Sequence, residues 1–386
     1  MLFRSADARE RRIRVLLLLT STAGGAGLQN YLLAKHLSRD AFDLTVAYGP
    51  GYPLDDSFPR LGISIEVLPM SRKVAPHVNA RGYLAIRRLL RRERFDVVCT
   101  SCSIAGMMGR IAAARAHVPA IMHVIHVYAS QPHQHPAKVR LYRWIERWLD
   151  AVTGRYVSVS NAAKQYGVDT GIMPAEKVDV IFNAVEPADQ NRRPRAEVRR
   201  ELGIPADAPV IGTVGRCERQ KGMRYFLEAA TGVRKRYPDA RFLVVGDGPL
   251  QDELEAYARD LGIDDATMFL GWRDDVPDLL GAMDVLGLAS LWETFGLVLA
   301  EAMEARLPVV ATRVDGIPEV VEDGLTGILV PPTDVPAMVD AFIRVLGDAD
   351  LAEKMGKAGA ERLAEVFSVQ DMVRSYEAVF RELARA

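Results

Sequence analysis

The stretch Pro209-Val-Ile-Gly-Thr-Val-Gly-Arg-Cys-Glu-Arg-Gln-Lys-Gly-Met-Arg-Tyr-Phe-Leu-Glu-Ala-Ala230 passes from an apolar run through a glycine-bearing loop into an amphipathic segment. A β-branched run closed by glycine and followed by helical periodicity reads as strand, loop and helix. The same rhythm returns in Phe242-Leu-Val-Val-Gly-Asp-Gly-Pro-Leu250 and in Met268-Phe-Leu-Gly-Trp-Arg-Asp-Asp-Val-Pro-Asp-Leu-Leu280. Two more strand ends follow, in Pro308-Val-Val-Ala-Thr-Arg-Val-Asp-Gly-Ile-Pro-Glu-Val-Val321 and Gly324-Leu-Thr-Gly-Ile-Leu-Val330. Upstream, apolar runs at Ile13 to Leu19, Leu44 to Ala47, Ile63 to Val67, Val97 to Cys99, Ala120 to Val124, Tyr156 to Val159 and Val180 to Phe182 keep the alternation going. Strands that are apolar along their whole length and separated by helices indicate parallel sheets covered on both faces. The fold class expected is therefore α/β, with doubly wound sheets that bind ligands beyond the carboxyl ends of their strands.

A chain of 386 residues exceeds the size at which one core stops growing, so two domains are expected. Asn183 to Ala208 holds Pro187, Pro194 and Pro205 among Asp and Arg, and reads as the linker. The domains then run over 1–185 and 186–368, with 369–386 returning to the first. Net charge is −1, but residues 1–185 hold 25 Lys and Arg against 14 Asp and Glu, and the remainder 24 against 36. That asymmetry points the first half toward an anionic surface or acceptor. Nucleic acid is not indicated, because the basic runs lie on helices and carry no RNA-binding signature. Cys99, Cys102 and Cys217 are too few and scattered for a disulfide framework, which suits a reducing, cytoplasmic setting. Cys99-Thr-Ser-Cys102 has redox spacing without a thioredoxin-sized unit around it. Arg11-Arg-Ile-Arg-Val-Leu-Leu-Leu-Leu-Thr has the look of a signal peptide, yet it leads straight into Gly24-Gly-Ala-Gly27 as a first strand would. No stretch approaches the ~18 uninterrupted apolar residues of a membrane span, so any membrane contact is expected to be peripheral.

The chemistry concentrates in the second half. Arg216 and Lys221 share one loop, and a guanidinium with an ammonium at a strand end suits a diphosphate leaving group, on which charge accumulates as its bond breaks. Taken alone, the loop also fits a strand-to-helix turn with two exposed cations. Ser290-Leu-Trp-Glu-Thr-Phe-Gly-Leu-Val-Leu-Ala-Glu-Ala-Met303 joins a turn to a helix start. The amides of Phe295, Gly296 and Leu297 would open that helix, and such an end is an anion site. Glu293 would lie in the turn beside the anion and Glu301 further down the helix, suited to a sugar and to a ribose diol. Two glutamates near a helix start equally fit a solvated face.

Taken in order, these motifs resemble glycosyltransferase family 4, the retaining nucleotide-sugar transferases of GT-B fold. The likeness covers nearly the whole chain, from Gly24 to the last helix. It implies two Rossmann-like domains facing a central cleft, the first for the acceptor and the second for a nucleotide-diphosphate sugar. It implies that Glu293 contacts the donor sugar, Glu301 the ribose, and Arg216 with Lys221 the diphosphate. It further implies that His126, at the end of Ile121-Met-His-Val-Ile-His126, lies against the donor sugar. Configuration would be retained, with fixed cations and helix amides replacing a metal, so no cofactor is expected. In relatives the last helix, here Val369 to Ala386, crosses back to the first domain, and Met372, Val373, Tyr376, Val379 and Phe380 give it an apolar face for that. Two positions depart from the pattern. Thr294 stands where Gly commonly follows the first glutamate, which bears on donor identity. Arg306 stands where Gly commonly precedes Leu-Pro, in a turn beyond the site.

Gly24 to Gly27 is expected as a loop between the first strand and a helix from Leu28 to Leu37, with Gly25 approaching the donor phosphates. It lacks the third spaced glycine of a dinucleotide fingerprint, which disfavours a nicotinamide oxidoreductase. His133-Gln-His135 invites a zinc reading but has no third ligand in sequence. Asp348-Ala-Asp350 lies between helices and reads as a cap rather than a metal motif. Lys138-Val-Arg-Leu-Tyr-Arg-Trp-Ile-Glu-Arg-Trp-Leu149 and Tyr83-Leu-Ala-Ile-Arg-Arg-Leu-Leu-Arg-Arg-Glu-Arg94 are basic amphipathic helices. They fit either a solvated basic face or docking on the inner surface of the cytoplasmic membrane to reach a lipid-linked or lipopolysaccharide-type acceptor. Two other readings remain at this level, a nucleotide-sugar epimerase and a non-catalytic nucleotide-sugar sensor.

Overall fold

The computed structural model describes residues 11–71, 76–128, 134–187 and 192–385, in two compact units. The first unit ends at Phe182 and takes back the chain from Val369 onward; the second is Asn183–Ser368.

In the first unit, β1 (Ile13–Leu19), β2 (Phe42–Tyr48), β3 (Ser64–Val67), β4 (Val97–Ser101), β5 (Ala120–Ile125), β6 (Arg155–Ser158) and β7 (Val178–Val180) form one sheet, every pairing parallel. Their order is β3-β2-β1-β4-β5-β6-β7, doubly wound with the reversal between β1 and β4. Leu16 to Leu19 are fully buried because helices cover both faces. Those helices are α1 (Gly24–His36), α2 (Pro76–Arg92), α3 (Ser103–Arg115), α4 (Pro136–Asp150) and α5 (Asn161–Asp169). The glycine run expected as a loop is instead the first turn of α1. Its cause is packing: a Cβ at Gly27 would stand 1.7 Å from the Thr22 carbonyl oxygen, so glycine lets the helix start directly on the end of β1.

The second unit contains α6 (Arg195–Glu201), β8 (Val210–Val214), α7 (Met223–Arg236), β9 (Arg241–Val245), α8 (Gln251–Asp260), β10 (Thr267–Gly271), α9 (Val276–Ala282), β11 (Val285–Leu288), α10 (Leu297–Glu304), β12 (Val309–Thr312), α11 (Ile317–Val320), β13 (Gly327–Val330), α12 (Val335–Gly347) and α13 (Ala349–Val366). Its sheet runs β10-β9-β8-β11-β12-β13, parallel throughout, with the reversal between β8 and β11. Phe226 and Phe342 meet edge to face at 6.3 Å in its core.

Within the segment expected as a linker, residues 192–208 are packed into the second unit. Within it, α6 packs on α9, and Arg199 is buried, donating to the carbonyls of Ala282 (2.9 Å), Ala206 (2.7 Å) and Ala208 (3.0 Å) and to Asp284 (2.9 Å). Arginines that read as solvated linker in sequence are consumed by carboxylates and carbonyls of the second unit. Asp348 accepts from the Leu351 amide at 2.9 Å and caps α13.

The last helix, α14 (Val369–Arg385), belongs to the first unit. Its apolar stripe buries Met372, Val373, Tyr376, Val379 and Phe380. Phe380 meets Phe42 edge to face at 5.9 Å, and the Ser38 amide donates to Glu377 at 2.9 Å.

Candidate functional site

In the second unit, glycines let loops at the carboxyl edge of the sheet close on one another. A Cβ at Gly246 would stand 2.1 Å from the Gly215 carbonyl oxygen, so the β9 loop lies against the β8 loop. The Cys217 amide donates to the Asp247 carbonyl at 2.8 Å, and the Leu250 amide to the Cys217 carbonyl at 3.0 Å. On the other side, Gly222 has a φ of +57° and would place a Cβ 2.0 Å from the Ala289 carbonyl oxygen. The Leu291 amide donates to the Gln220 carbonyl at 2.8 Å, and the Gln220 side-chain Nε2 donates to the Trp292 carbonyl at 3.1 Å. The β8 and β11 loops are thus laced through Gln220, by its backbone and by its side chain. That lacing brings the Lys221 ammonium onto the Glu293 carboxylate as an ion pair of two mostly buried side chains.

Glu293 is held at its peptide as well. Its amide donates to the Asp315 carboxylate at 2.9 Å, and its carbonyl accepts from the Gly316 amide at 3.0 Å. Asp315 adopts a φ of +40°, a left-handed conformation uncommon outside glycine. Burial raises the Asp315 carboxyl above its ordinary pKa, and the neighbouring Glu293 charge adds to this.

Gly296, at a φ of +82°, opens α10 without a side-chain cap. Phe295 is buried and meets Phe367 edge to face at 5.5 Å, which anchors the turn. Among the nine residues singled out in sequence, Phe295, Gly296 and Leu297 therefore line one helix start, two residues from the Lys221–Glu293 pair along the chain. Glu301 lies on α10, and burial pushes its carboxyl up to about 7 against the pull of the Lys221 charge. Arg216 shares the β8 loop with Lys221, but its guanidinium is turned to Glu218 at 2.8 Å rather than to the Lys221–Glu293 pair. The site therefore couples one mostly buried ammonium to three carboxyl groups and a helix start, an arrangement that can receive an anion with hydroxyl-rich parts on either side.

In the first unit, His126 lies directly after β5 and Gly25 in the first turn of α1. Both are at the carboxyl edge of that sheet, on strands separated by β4 alone. Burial lowers the His126 pKa to about 4, so the imidazole is neutral at physiological pH. The neighbouring His123 is buried, with Nδ1 at 2.9 Å from the Thr100 hydroxyl, and its pKa is also pushed well down by burial.

The other motifs do not form sites. Burial pushes the Cys99 thiol up to about 12, opposite to what a reactive thiolate needs. His133 lies outside the described residues, and His135 caps α4 by accepting from the Ala137 amide at 3.3 Å. Among the described residues, no group of three or more His, Cys, Asp or Glu is placed to hold a metal ion. Nor is any helix long and apolar enough to cross a membrane. Asp315 and Gln220 were not singled out in sequence. The only signal for Asp315 was its Asp-Gly turn after a strand, which many loops share.

Two family models match the chain: one described as Glycosyltransferase Family 4, over residues 23–189, and one described as Glycosyl transferases group 1, over 194–362. A UDP-Gal:alpha-D-GlcNAc-diphosphoundecaprenol alpha-1,3-galactosyltransferase of Escherichia coli is 29% identical over 341 residues, covering 86% of this chain and 87% of that one. An alpha-D-kanosaminyltransferase of Streptomyces kanamyceticus is 29% identical over 310 residues, covering 77% and 80%. Among solved structures, the Anabaena protein HepE in complex with UDP-glucose superposes with a TM-score of 0.84 at 22% identity, covering 96% of this chain and all of that one.

Proposed function

This chain belongs to glycosyltransferase family 4 and has its two-domain GT-B fold, and from that premise we propose that it moves a hexose-type sugar, with retained configuration, from a UDP- or GDP-sugar to a lipid-linked or cell-envelope glycan precursor. The second unit takes the donor and the first the acceptor, in the cytoplasm. The observation that carries this reading is the Lys221–Glu293 pair beside the start of α10. A donor diphosphate brings negative charge to that place. Lys221 and the amides of Phe295, Gly296 and Leu297 meet that charge as it grows on the leaving group, which is the electrostatic work a metal does elsewhere. Arg216, exposed on the same loop, swings from Glu218 to join them. Once Lys221 turns to the diphosphate, Glu293 is released to accept hydrogen bonds from the donor sugar, and Glu301 takes the ribose diol. The neutral imidazole of His126 serves as a hydrogen-bonding partner of the sugar without adding charge, and Gly25 offers backbone close to the phosphates. The lipid-linked acceptor is supported by the E. coli relative, whose name gives alpha-D-GlcNAc-diphosphoundecaprenol as its acceptor.

A thermal-shift panel of nucleotide-sugars identifies the donor, and transfer is then followed with anomeric NMR of the product. Lys221→Ala or Glu293→Ala lowers transfer by two orders of magnitude or more, about 2.7 kcal/mol or above in the barrier, while the far-UV spectrum stays native. Chelator leaves turnover intact. Wild-type rates in either variant remove that residue from the site, strict Mn²⁺ dependence removes the metal-free mechanism, and isomerised sugar from donor alone makes the protein an epimerase instead.

A further inference from the structure

Helix α4 buries Leu149 against the first unit and half-buries Val139 and Ile145. Polar groups tie the helix to that unit as well. Glu146 reaches the fully buried Arg110 at 2.7 Å, Asp150 pairs with Lys177 at 3.2 Å, and Arg147 donates to the carbonyls of Gly171 (2.8 Å) and Thr170 (2.6 Å) at the end of α5. A second apolar stripe of the helix faces solvent. Leu141, Trp144 and Trp148 are 53%, 64% and 55% exposed, and steps of three and four residues put them on one stripe, about 10 Å long at 1.5 Å per residue. Elsewhere the exposed large apolar side chains, such as Val67, Trp272 and Leu325, are scattered along the sequence. The other basic helix differs. Among the described residues of α2, the exposed large apolar side chain is Leu84, and Arg92 is held by Glu66 and Glu93.

We propose that this α4 stripe docks the protein on an anionic lipid surface. Three observations favour that occupant. Tryptophans side by side on the outward face of a helix suit the headgroup boundary, where an indole has an apolar body to bury and an N–H to leave wet. Lys138 and Arg140 flank the stripe on its amino-terminal side, both exposed. Both carboxylates of α4 are spent inward, so the outer face carries apolar and cationic groups and no carboxylate. A second copy of the chain is disfavoured by the same charges, because a two-fold contact sets Lys138 and Arg140 against their own kind. Since α4 follows β5, the cationic end of the stripe lies toward the carboxyl edge of the sheet, where the first unit is read as receiving its acceptor. A headgroup-borne acceptor is thereby delivered at the edge that uses it. The purpose of the surface rests on the proposed function, but its chemistry does not.

Sedimentation with vesicles tests it without donor or acceptor. The full chain is expected to pellet with vesicles of phosphatidylcholine and phosphatidylglycerol in equal parts, to stay in the supernatant with phosphatidylcholine alone, and to release as salt is raised. Trp144→Ser with Trp148→Ser, and separately Lys138→Glu with Arg140→Glu, each reduce partitioning by roughly ten-fold or more. All four side chains are outward, so the melting temperature and the thermal shift produced by UDP stay at wild-type values. Equal recovery with and without anionic lipid overturns the proposal, as does undiminished binding by both double variants. So does a concentration-dependent dimer, seen by light scattering, that the tryptophan pair abolishes. A wild type shifted by neither UDP nor GDP instead counts against the glycosyltransferase donor site and leaves the surface standing.

Discussion

At the scale of single residues, the site depends on how Glu293 is held. Its side chain meets Lys221, 72 residues away in sequence, and its peptide is gripped on both sides by Asp315 and Gly316. Asp315 thus acts as a positioning residue, through the Glu293 amide and not through substrate. Asp315→Ala removes the acceptor and leaves that amide without its partner, whereas Asp315→Asn keeps an oxygen for it. Transfer in the alanine variant is expected to fall about ten-fold or more in kcat with donor KM near wild type, and asparagine to restore most of it, because misplacing a reacting contact costs rate before binding. Equal loss in both variants, or a change confined to KM, would show that Asp315 serves some other end. Lys221 and Glu293 were legible in sequence because a cation on a glycine loop and a carboxylate before a helix start are local patterns. Asp315 was not, because what distinguishes it is the peptide it touches.

Among the elements, α10 is where chemistry and stability meet. Its start needs Gly296 at positive φ, and its end closes with the Arg306 amide donating to Met303 at 3.0 Å and the Leu307 amide to Ala302 at 2.8 Å. That is a Schellman ending, whose left-handed position here is Arg306, at a φ of +54°. The departure noted in sequence, arginine where glycine commonly precedes Leu-Pro, is therefore a strained cap. Arg306→Gly is expected to stabilise the second unit by about 1 kcal/mol, raising its melting temperature by about 2–4 °C. Calorimetry reads this, and an unchanged or lowered transition would mean that the arginine side chain contributes more than its backbone costs. Helix α4 gives the opposite lesson. Its amphipathic pattern announces a helix, but the pattern alone does not say which face turns inward. Here Glu146 turns inward to buried Arg110 on the same side as buried Leu149, and the tryptophans stay outside.

On the scale of the whole molecule, each unit carries its own sheet and core, and α14 completes the first from the far end of the chain. Ending the chain after Ser368 strips Phe380 and its stripe from Phe42 while leaving the second unit whole. The truncated protein is expected to lose the calorimetric transition of the first unit and to keep a UDP-responsive one, since burying a phenylalanine alone is worth ~3–5 kcal/mol. Two unaltered transitions would mean that α14 is dispensable. The strands, the alternation and the parallel sheets were all determined by sequence, because a strand buried on both faces must be apolar throughout and a parallel pair must be joined by a helix. Family membership likewise followed from the order of short motifs. Only tertiary structure decided that residues 192–208 pack into the second unit, that Gly24 to Gly27 begins a helix, that Arg216 rests on Glu218, and that Lys221 rests on Glu293. Two of these depend on a partner distant in sequence, Asp284 for Arg199 and Glu293 for Lys221, and two on a near neighbour whose placement only the folded backbone fixes, the Thr22 carbonyl against the missing Cβ of Gly27 and Glu218 beside Arg216. Periodicity reports which way a residue faces, but the free energy of a polar group is set by what it meets there.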